Sequence, residues 1–377
     1  MKTYAFDKIV LSPADIDLSY SPLRAQIQEE TYVLGAFNPG MSRLSNGNLI
    51  LMVRIAEALR QPVRSDKIHS IRWDVEKGYV LDAYPLDEVD ISDPRKFTLK
   101  NFAPTPVMAL TSLSWILPVE LNARGDAIVR IHYDKIIAPQ KGYQEYGIED
   151  ARISFIQGKY YMTTCSVSSE RHSTTLYRSD DGLHYTLEGI ILDHQNKDML
   201  LFEGKINGLY YALTRPLGSA FFATAPRAAF KPGPSINLAQ SPDLLHWKPV
   251  DTPFLRPMQN SHSVLKLGGG SQPILTPDGW LFLFHVVEEK GEVGIYKTYW
   301  GLMDKDNPTK ILHLEMGQPL IEANPELTKG MEDSIYLKDV VFTTGIAEMG
   351  GQYIVASGEL DLCCRITHIP KSVFKTQ

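Results

Sequence analysis

Short apolar segments separated by glycine-containing turns recur along the whole chain. In five places such a turn precedes a segment rich in aromatic and aliphatic residues. The turns are Asn46-Gly47, Gln157-Gly158, Asn207-Gly208, Asp278-Gly279 and Gly350-Gly351. Glycine adopts the positive φ angles that tight hairpin turns require, and Asn or Asp before glycine is a strong hairpin signal. The pattern predicts five similar antiparallel hairpins.

A second element follows two of these hairpins. Leu176–Gly189 and Leu238–Val250 share a Ser-x-Asp-x-Leu-His-aromatic core, which predicts an outer hairpin. Repeats of four short strands at this spacing are typical of a β-propeller. Helix signals are scarce because prolines are scattered and no long apolar period of 3.6 residues persists. We therefore predict an all-β fold, one five-bladed β-propeller domain over residues 1–377.

The first two hairpins are separated by a much longer gap than the others. Within it, Ile68–Leu86 is a candidate outer hairpin of the first repeat. The Pro- and aromatic-rich sequence from Asp90 to Gln144 predicts an insertion.

Composition excludes several classes of partner. The formal net charge is −6 and no run of Lys or Arg occurs, which argues against nucleic acid as the main partner. Cys165, Cys363 and Cys364 form neither a disulfide framework nor a zinc-ligand pattern, and the histidines lack metal-ligand spacing. We expect no metal and no cofactor. Without a long apolar segment, we also expect no membrane partner and a cytoplasmic location, or a periplasmic one if a signal peptide has been removed.

Charged and polar residues recur where the inner strands of the predicted blades would meet a common funnel. A buried network of structural ion pairs is the alternative explanation for them. The residues are Asn38, Arg43, Arg54, Glu149, Asp150, Arg152, Asp198, Glu203, Lys205, Arg215, Gln272, His285, Glu288, Glu359 and Asp361.

These residues belong to motifs that resemble glycoside hydrolase family 130, the β-mannoside phosphorylases and β-mannosidases, in order along nearly the full chain. Glu149-Asp150-Ala151-Arg152 is similar to the family's Glu-Asp-Pro-Arg motif. The other matching segments are Asn38-Pro39-Gly40, Lys197-Asp198 to Leu201-Phe202, Arg215-Pro216, Ser241-Pro242-Asp243, Gly279-Trp280-Leu281 and Ser357-Gly358-Glu359-Leu360-Asp361. The family consists of five-bladed propellers, so the resemblance implies the same fold as the repeats.

The resemblance also implies roles for individual residues. Asp150 would be the general acid that protonates the departing glycosidic oxygen. Asn38 and Asp361 would hold the mannose whose bond is cleaved, and Arg54 and Arg152 would orient the sugar or the acid. Four further residues are candidates for substrate binding: Arg43, Lys205, Arg215 and His285.

The departures from the family pattern favour hydrolysis. Glu203-Gly204 occupies the positions of the phosphorylases' Pro-Glu pair, and Glu288 follows the segment that resembles their Tyr-His-Gly. A carboxylate in the phosphate site would repel phosphate, but it could activate water opposite the acid, at roughly 6.5–9.5 Å from it. The sequence therefore predicts an inverting β-mannosidase, acting on β-1,2 linkages, with Glu203 as the base and Glu288 as second candidate.

Two other functions stay open at this point. One is a β-mannoside phosphorylase that forms mannose 1-phosphate, because Arg54, Arg152, Lys205 and His285 are retained. The other is a carbohydrate-binding propeller without turnover. In each case the expected partner is a small oligosaccharide, and a homo-oligomer is possible.

Overall fold

The computed structural model describes residues 4–93, 95–100, 107–192, 194–217, 225, 227–230, 233–251, 254–258, 264–291 and 293–375. The strands pair antiparallel within each blade and form a five-bladed β-propeller, which confirms the predicted fold. The sheets of blades five, one and two are joined into one large sheet, and two small sheets belong to an insertion. All five predicted glycine turns join adjacent antiparallel strands. Gln157-Gly158 and Asn207-Gly208 have positive φ at both residues, as hairpin turns of the type I′ class require.

The strands follow one another blade by blade along the chain. The chain begins with the N-terminal strand β1 (Phe6–Leu11). Blade one comprises β2 (Thr31–Arg43), β3 (Leu49–Leu59), β10 (Ser112–Leu121) and β11 (Ile128–Ile131). Between β3 and β10 lie the inserted strands β4 (Val63–Arg64), β5 (Lys67–Asp74), β6 (Gly78–Pro85), β7 (Val89–Asp90), β8 (Lys96–Leu99) and β9 (Val107–Leu110). Blade two comprises β12 (Gly147–Ile156), β13 (Lys159–Val167), β14 (His172–Ser179) and β15 (Thr186–Ile190).

The remaining three blades complete the ring. Blade three comprises β16 (Asn196–Ile206), β17 (Leu209–Pro216), β18 (Asn237–Ser241) and β19 (Lys248–Pro249). Blade four comprises β20 (Val264–Gly269), β21 (Ile274–Thr276), β22 (Gly279–Glu288), β23 (Ile295–Met303) and β24 (Ile311–Glu315). Blade five comprises β25 (Val341–Met349), β26 (Gln352–Glu359) and β27 (Cys363–Pro370).

The helices among the described residues are short 3₁₀ turns. They are Pro13–Asp15, Leu18–Tyr20, Pro22–Ala25, Leu86–Glu88, Tyr133–Lys135, Gly142–Gln144, Pro325–Thr328, Glu332–Ser334 and Lys371–Phe374. Within the described ranges, none of the helices has the length and hydrophobicity needed to cross a lipid bilayer.

Each neighbouring pair of blades shares a buried hydrophobic cluster, so the inner strands carry apolar residues on both faces. On β3, Leu51 packs towards blade five and Met52 packs towards blade two. On β22, Phe282 packs towards blade three and Leu283 towards blade five. A blade enclosed on both sides explains why the central strands have continuous apolar sequences rather than alternating ones.

The N-terminal strand closes the ring. β1 pairs antiparallel with β27 and so becomes the outer strand of blade five. Arg365 on β27 is buried and forms an ion pair with Asp7 on β1, with 2.7 Å between Nε and Oδ1. The two ends of the chain are therefore joined within one blade.

The insertion starts earlier than the sequence predicted. It lies between β3 and β10 and contains β4 to β9, residues 63–110, in two small three-stranded sheets. The prediction of an insertion at Asp90–Gln144 was thus wrong in its bounds, because β10 and β11 within that range belong to blade one. Ile68–Leu86 is not an outer hairpin of blade one, since β5 and β6 pair within the insertion.

The two predicted outer hairpins are confirmed. In each, the aspartate accepts hydrogen bonds from the backbone N–H groups two and three residues later: Asp181 from Leu183 and His184, and Asp243 from Leu245 and His246. The shared Ser-x-Asp-x-Leu-His core is therefore a turn-forming element between the third and fourth strands.

Candidate active site

A cavity of about 420 Å³ lies where the inner strands begin, and all five blades contribute to its wall. Six of the residues predicted from the sequence line it: Asn38, Arg54, Glu149, Asp150, Arg215 and Asp361. They come from β2, β3, β12, β17 and the turn after β26. The propeller thus brings together side chains that are up to about 320 positions apart in sequence, which is its usual way of building a site on rigid elements.

Three inner strands present a polar side chain from the same irregular position. Asn38, Asp150 and Asp198 have positive φ angles of 50°, 51° and 54°, and each lies where the pairing register of its strand shifts. Asn and Asp tolerate this left-handed conformation better than other non-glycine residues. Bulges of this kind redirect a side chain, and strained residues of this kind concentrate at functional sites.

Asp150 is held through only one of its carboxylate oxygens. Asn38 Nδ2 donates to Oδ1 at 2.9 Å, and Arg54 Nη1 donates to the same oxygen at 3.1 Å. Among the described residues, no hydrogen bond occupies Oδ2. The carboxyl group is therefore fixed in orientation and keeps one oxygen available to a ligand in the cavity, the geometry that proton transfer needs.

Arg54 also organises the neighbouring carboxylate. Its Nη2 lies 2.8 Å from Glu149 Oε1, and Lys197 Nζ lies 3.2 Å from Glu149 Oε2. Burial alone would raise the pKa of Glu149, but Arg54 and Lys197 outweigh it and lower that pKa. Glu149 is thus an ionised anchor for two cations rather than a proton donor.

A fully buried ionic layer lies behind the cavity. Arg152 Nη2 contacts Asp198 Oδ1 at 3.1 Å, and Arg215 Nε contacts Asp198 Oδ2 at 2.5 Å. Arg152 also donates to the backbone oxygens of Asp150 and Gly270. Burial would raise the pKa of Asp198, but the two arginines lower it well below its usual range. Arg152 therefore positions the bulge that carries Asp150 and does not itself line the cavity.

His285 lies in the same inner layer. It is 1% exposed, its ring contacts Tyr296 and Phe342, and its Nε2 is 3.8 Å from Asp198 Oδ2. Burial lowers its pKa to about 3, so the ring is neutral. His285 supports the cavity wall from behind Tyr296 and Phe342, both of which line the cavity.

Lys266 on β20 is a cation that no sequence motif indicated. Its Nζ lies over the Tyr296 ring at 5.1 Å, and in the described part of the chain no carboxylate is within ion-pair distance of it. Burial, and then repulsion from the nearby Arg215 and Lys197, lower its pKa to about 8. The ammonium group therefore lines the cavity without an ion-pair partner among the described residues.

Asp361 forms the opposite side of the cavity in blade five. Desolvation raises its pKa to about 6; Arg54 opposes this effect and the negative charge of Asp150 adds to it. Tyr336 lines the cavity beside it and donates a hydrogen bond to its backbone oxygen at 2.8 Å. Asp361 and Asp150 are thus two carboxyl groups in one cavity with different charge environments.

Two predicted substrate-binding residues lie outside the cavity. Arg43, at the other end of β2, donates to the backbone oxygens of Gly47, Ala123 and Glu348. Lys205, at the end of β16, is exposed and lies over the Tyr210 ring at 4.7 Å. Both follow the funnel residue of their strand by several positions, and at 3.3 Å per residue they end on the far side of the ring.

Neither predicted catalytic base reaches the cavity. Glu203 accepts a hydrogen bond from the backbone N–H of Phe155 at 3.1 Å, near the far end of β12 and β16. Burial raises its pKa to about 7. Glu288 forms an ion pair with Lys297 on the adjacent strand, at 3.0 Å. The structure therefore does not bring Glu203 or Glu288 together with Asp150.

Several cavity residues were missed by sequence reasoning. Lys197 had a signal, since it precedes Asp198 within a matching motif. The other charged or polar residues are Arg95, Lys96, Ser112, His172, Lys266, Tyr296 and Tyr336, which lie in no such motif. Only the ring closure and the folding of the insertion bring them to the funnel. Within the described ranges, no group of three or more metal-ligating side chains is assembled.

Comparison with known proteins defines the family. The model of glycoside hydrolase family 130, described as β-1,4-mannooligosaccharide phosphorylase, matches residues 116–376. A β-1,2-mannobiose phosphorylase from Listeria innocua is 30% identical over 333 residues, covering 86% of this chain and 85% of the relative. The chain therefore belongs to glycoside hydrolase family 130, a family of enzymes that act on β-mannosides.

Two further comparisons agree with this assignment. A 1,2-β-oligomannan phosphorylase from a Thermoanaerobacter species is 31% identical over 240 residues, covering 63% of this chain and 73% of the relative. The solved structure of the Listeria innocua β-1,2-mannobiose phosphorylase in complex with β-1,2-mannobiose has a TM-score of 0.81 and 28% identity. It covers 97% of this chain and 95% of that one.

Proposed function

We propose that this protein is a β-1,2-mannoside phosphorylase: inorganic phosphate displaces the terminal mannose and forms mannose 1-phosphate. The observation that carries the proposal is the charge of the cavity. Its lining contains six Lys and Arg side chains against three carboxylates. A surplus of positive charge suits a phosphate dianion, whereas a hydrolase needs a carboxylate that can activate water.

The cations of the cavity lining are unevenly compensated, and Lys96 on β8, like Lys266 on β20, forms no ion pair among the described residues. Glu149 compensates Arg54 and Lys197, and Asp198 compensates Arg215, but Lys266 has no carboxylate partner among the described residues. The lowered pKa of Lys266 reflects burial first and its cationic neighbours second. A bound phosphate would relieve that repulsion, since it would supply the missing negative charge.

The contacts of the two glutamates speak against the hydrolytic alternative that the sequence favoured. A base must lie across the bond from Asp150 with room for one water. Glu203 is engaged by the Phe155 backbone and Glu288 by Lys297, both outside the cavity lining. The nearer carboxylate Glu149 is held by two cations.

The proposed reaction is a single displacement. An oxygen of phosphate attacks the anomeric carbon of the terminal mannose, and the bond from that carbon to the glycosidic oxygen breaks. Asp150 supplies the proton that the departing oxygen takes up. Attack from the opposite face inverts the β configuration, so the products are α-mannose 1-phosphate and the shortened sugar.

The names of the similar proteins support the choice of linkage. The two relatives described above are a β-1,2-mannobiose phosphorylase and a 1,2-β-oligomannan phosphorylase. The family model carries a β-1,4 description, so β-1,4-mannobiose belongs in the test as a comparison substrate.

The test is product analysis on β-1,2-mannobiose, with and without inorganic phosphate. We expect mannose 1-phosphate and mannose in equal amounts with phosphate, and no turnover without it. Free mannose alone, at a rate indifferent to phosphate, would establish hydrolysis instead. Binding of the disaccharide without either product would favour the carbohydrate-binding alternative.

A further inference from the structure

A second recess of about 1000 Å³ adjoins the catalytic cavity, and we call it the outer groove. Four residues line both spaces: Leu110, Glu149, His172 and Lys197. A ligand can therefore extend from the catalytic cavity into the outer groove without leaving the protein surface.

The outer groove lies between the insertion and blade two. Tyr84 on β6 and Met108 on β9 form one wall, and Tyr146 and the 168–171 turn form the other. Met108 is 49% exposed, so its apolar side chain is accessible to a ligand in the groove. Tyrosine rings beside polar groups such as Arg171 match a sugar, which has apolar ring faces and hydroxyl edges.

The two walls of the outer groove are tied together at its floor. Arg72 of the insertion contacts Asp82 at 2.6 Å and Glu145, just before β12, at 3.3 Å. The other oxygen of Glu145 accepts a hydrogen bond from the backbone N–H of Ser169 at 2.7 Å. The backbone N–H of Trp73 also donates to the backbone oxygen of Glu145 at 2.7 Å. The groove is preformed, so a ligand would not need to order its walls.

The position of the outer groove indicates which part of the substrate it would bind. Its blade-two wall belongs to the same blade as Asp150, the acid that protonates the leaving group. Lys266 and Tyr296, the proposed position of the attacking phosphate, are on blade four. An inverting displacement has its entering and leaving groups on opposite faces of the sugar ring. The groove is therefore on the leaving-group side.

We infer that the outer groove binds the leaving-group portion of a β-1,2-mannooligosaccharide of three or more units. The insertion then determines a preference for chains longer than the disaccharide. This inference rests on the proposed phosphorylase function and adds the substrate's length and the element that recognises it.

The test compares kcat/KM for β-1,2-mannotetraose and β-1,2-mannobiose at saturating phosphate. We expect kcat/KM to be about tenfold higher for the tetraose, because its additional sugar units would bind in the outer groove. The double variant Met108→Ala/Arg171→Ala should lose this preference and keep its mannobiose kcat/KM within about twofold. Leu275→Ala is the matched control, because Leu275 is 58% exposed on β21 and outside the groove lining; its preference should be that of the unaltered protein.

Equal kcat/KM values for both sugars in the unaltered protein would overturn the inference. So would a double variant in which both sugars lose activity equally. If neither sugar reacts with phosphate, the proposed function fails. Calorimetric titration of the unaltered protein with the two sugars then tests whether the outer groove binds the longer one. Tighter binding of the tetraose that the double variant abolishes supports the groove, and equal affinities overturn it.

Discussion

Carboxylates lie at the mouth of the inner strands of blades two and three and again at the far end of blade three, and their surroundings differ in charge. At the mouth, Asp150 and Asp198 contact Arg54, Arg152 and Arg215. At the far end, Glu203 accepts a hydrogen bond from the backbone N–H of Phe155 and forms no ion pair within the described ranges. Arginines lower the pKa of Asp198, whereas burial raises that of Glu203.

Position along the strand, and not residue type, therefore decides the role of a carboxylate in these blades. Asp198 and Glu203 are five residues apart on β16, which corresponds to about 16 Å of extended chain. That separation is enough to move a side chain from a cation-rich cavity to the opposite side of the ring. The predictions below test whether the two ends are functionally as different as their contacts.

The largest expected effect is at the mouth. Asp150→Asn keeps the shape of the side chain and removes the transferable proton, so kcat/KM for β-1,2-mannobiose should fall by about 10²–10⁴-fold. Glu203→Gln is the matched change at the far end, and its kcat/KM should stay within about threefold of the unaltered protein. Steady-state kinetics with phosphate measures both. A comparable loss in Glu203→Gln would restore Glu203 as a catalytic candidate.

The next effect concerns Lys266. Lys266→Met retains the apolar stem over the Tyr296 ring and removes the charge, so the KM for phosphate should rise by about 10- to 100-fold. The KM for the disaccharide should change much less. Lys205→Met, at the far end of β16, serves as the control and should alter neither constant. An unchanged KM for phosphate in Lys266→Met would remove the main support for phosphorolysis.

The pH dependence follows from the same ammonium group. The pKa of Lys266 is lowered to about 8, so it is protonated below that pH and loses its charge as the pH rises through it. We expect kcat/KM for phosphate to decline above about pH 8, approaching tenfold per pH unit. Lys266→Arg keeps its charge at every accessible pH and should lack this decline. An alkaline limb that persists in Lys266→Arg would belong to another group.

The smallest effect is on stability at the far end. The pKa of Glu203 is raised from its usual 4.5 to about 7, so between these values the folded state binds more protons than the unfolded state. The free energy of unfolding should therefore decrease as pH rises through this window. Above it, Glu203→Gln should be more stable than the unaltered protein by ~1–2 kcal/mol, an amount reduced for the partial exposure of the side chain.

Denaturant unfolding at pH 4 and pH 8 measures this difference. The stabilisation should be present at pH 8 and absent at pH 4, where Glu203 is protonated in both states. Glu288→Gln is the control, because Glu288 is paired with Lys297 and no stabilisation is expected from its removal. Equal stability of Glu203→Gln and the unaltered protein at pH 8 would show that burial imposes no cost on this carboxylate.

Much of the fold was determined by local sequence. The five glycine turns require positive φ angles that few residues adopt, and each joins the expected strands. The Ser-x-Asp-x-Leu-His turns are local too, since their hydrogen bonds span two or three residues. The motif around Asp150 could also be recognised, because Glu149-Asp150-Ala151-Arg152 is a contiguous segment similar to a motif of the family.

Tertiary structure decided the rest of the site. The bulges that turn Asn38 and Asp150 into the funnel, and Asp198 towards the ionic layer behind it, depend on pairing with neighbouring strands. The approach of Lys266 to Arg215 depends on the packing of blade three against blade four. The sequence alone does not show whether a charged residue of an inner strand lies at the cavity or at the far end. Only the closed ring, which fixes the depth of every position in the tunnel, separated Glu203 from Asp150 and left the cavity with its surplus of cations.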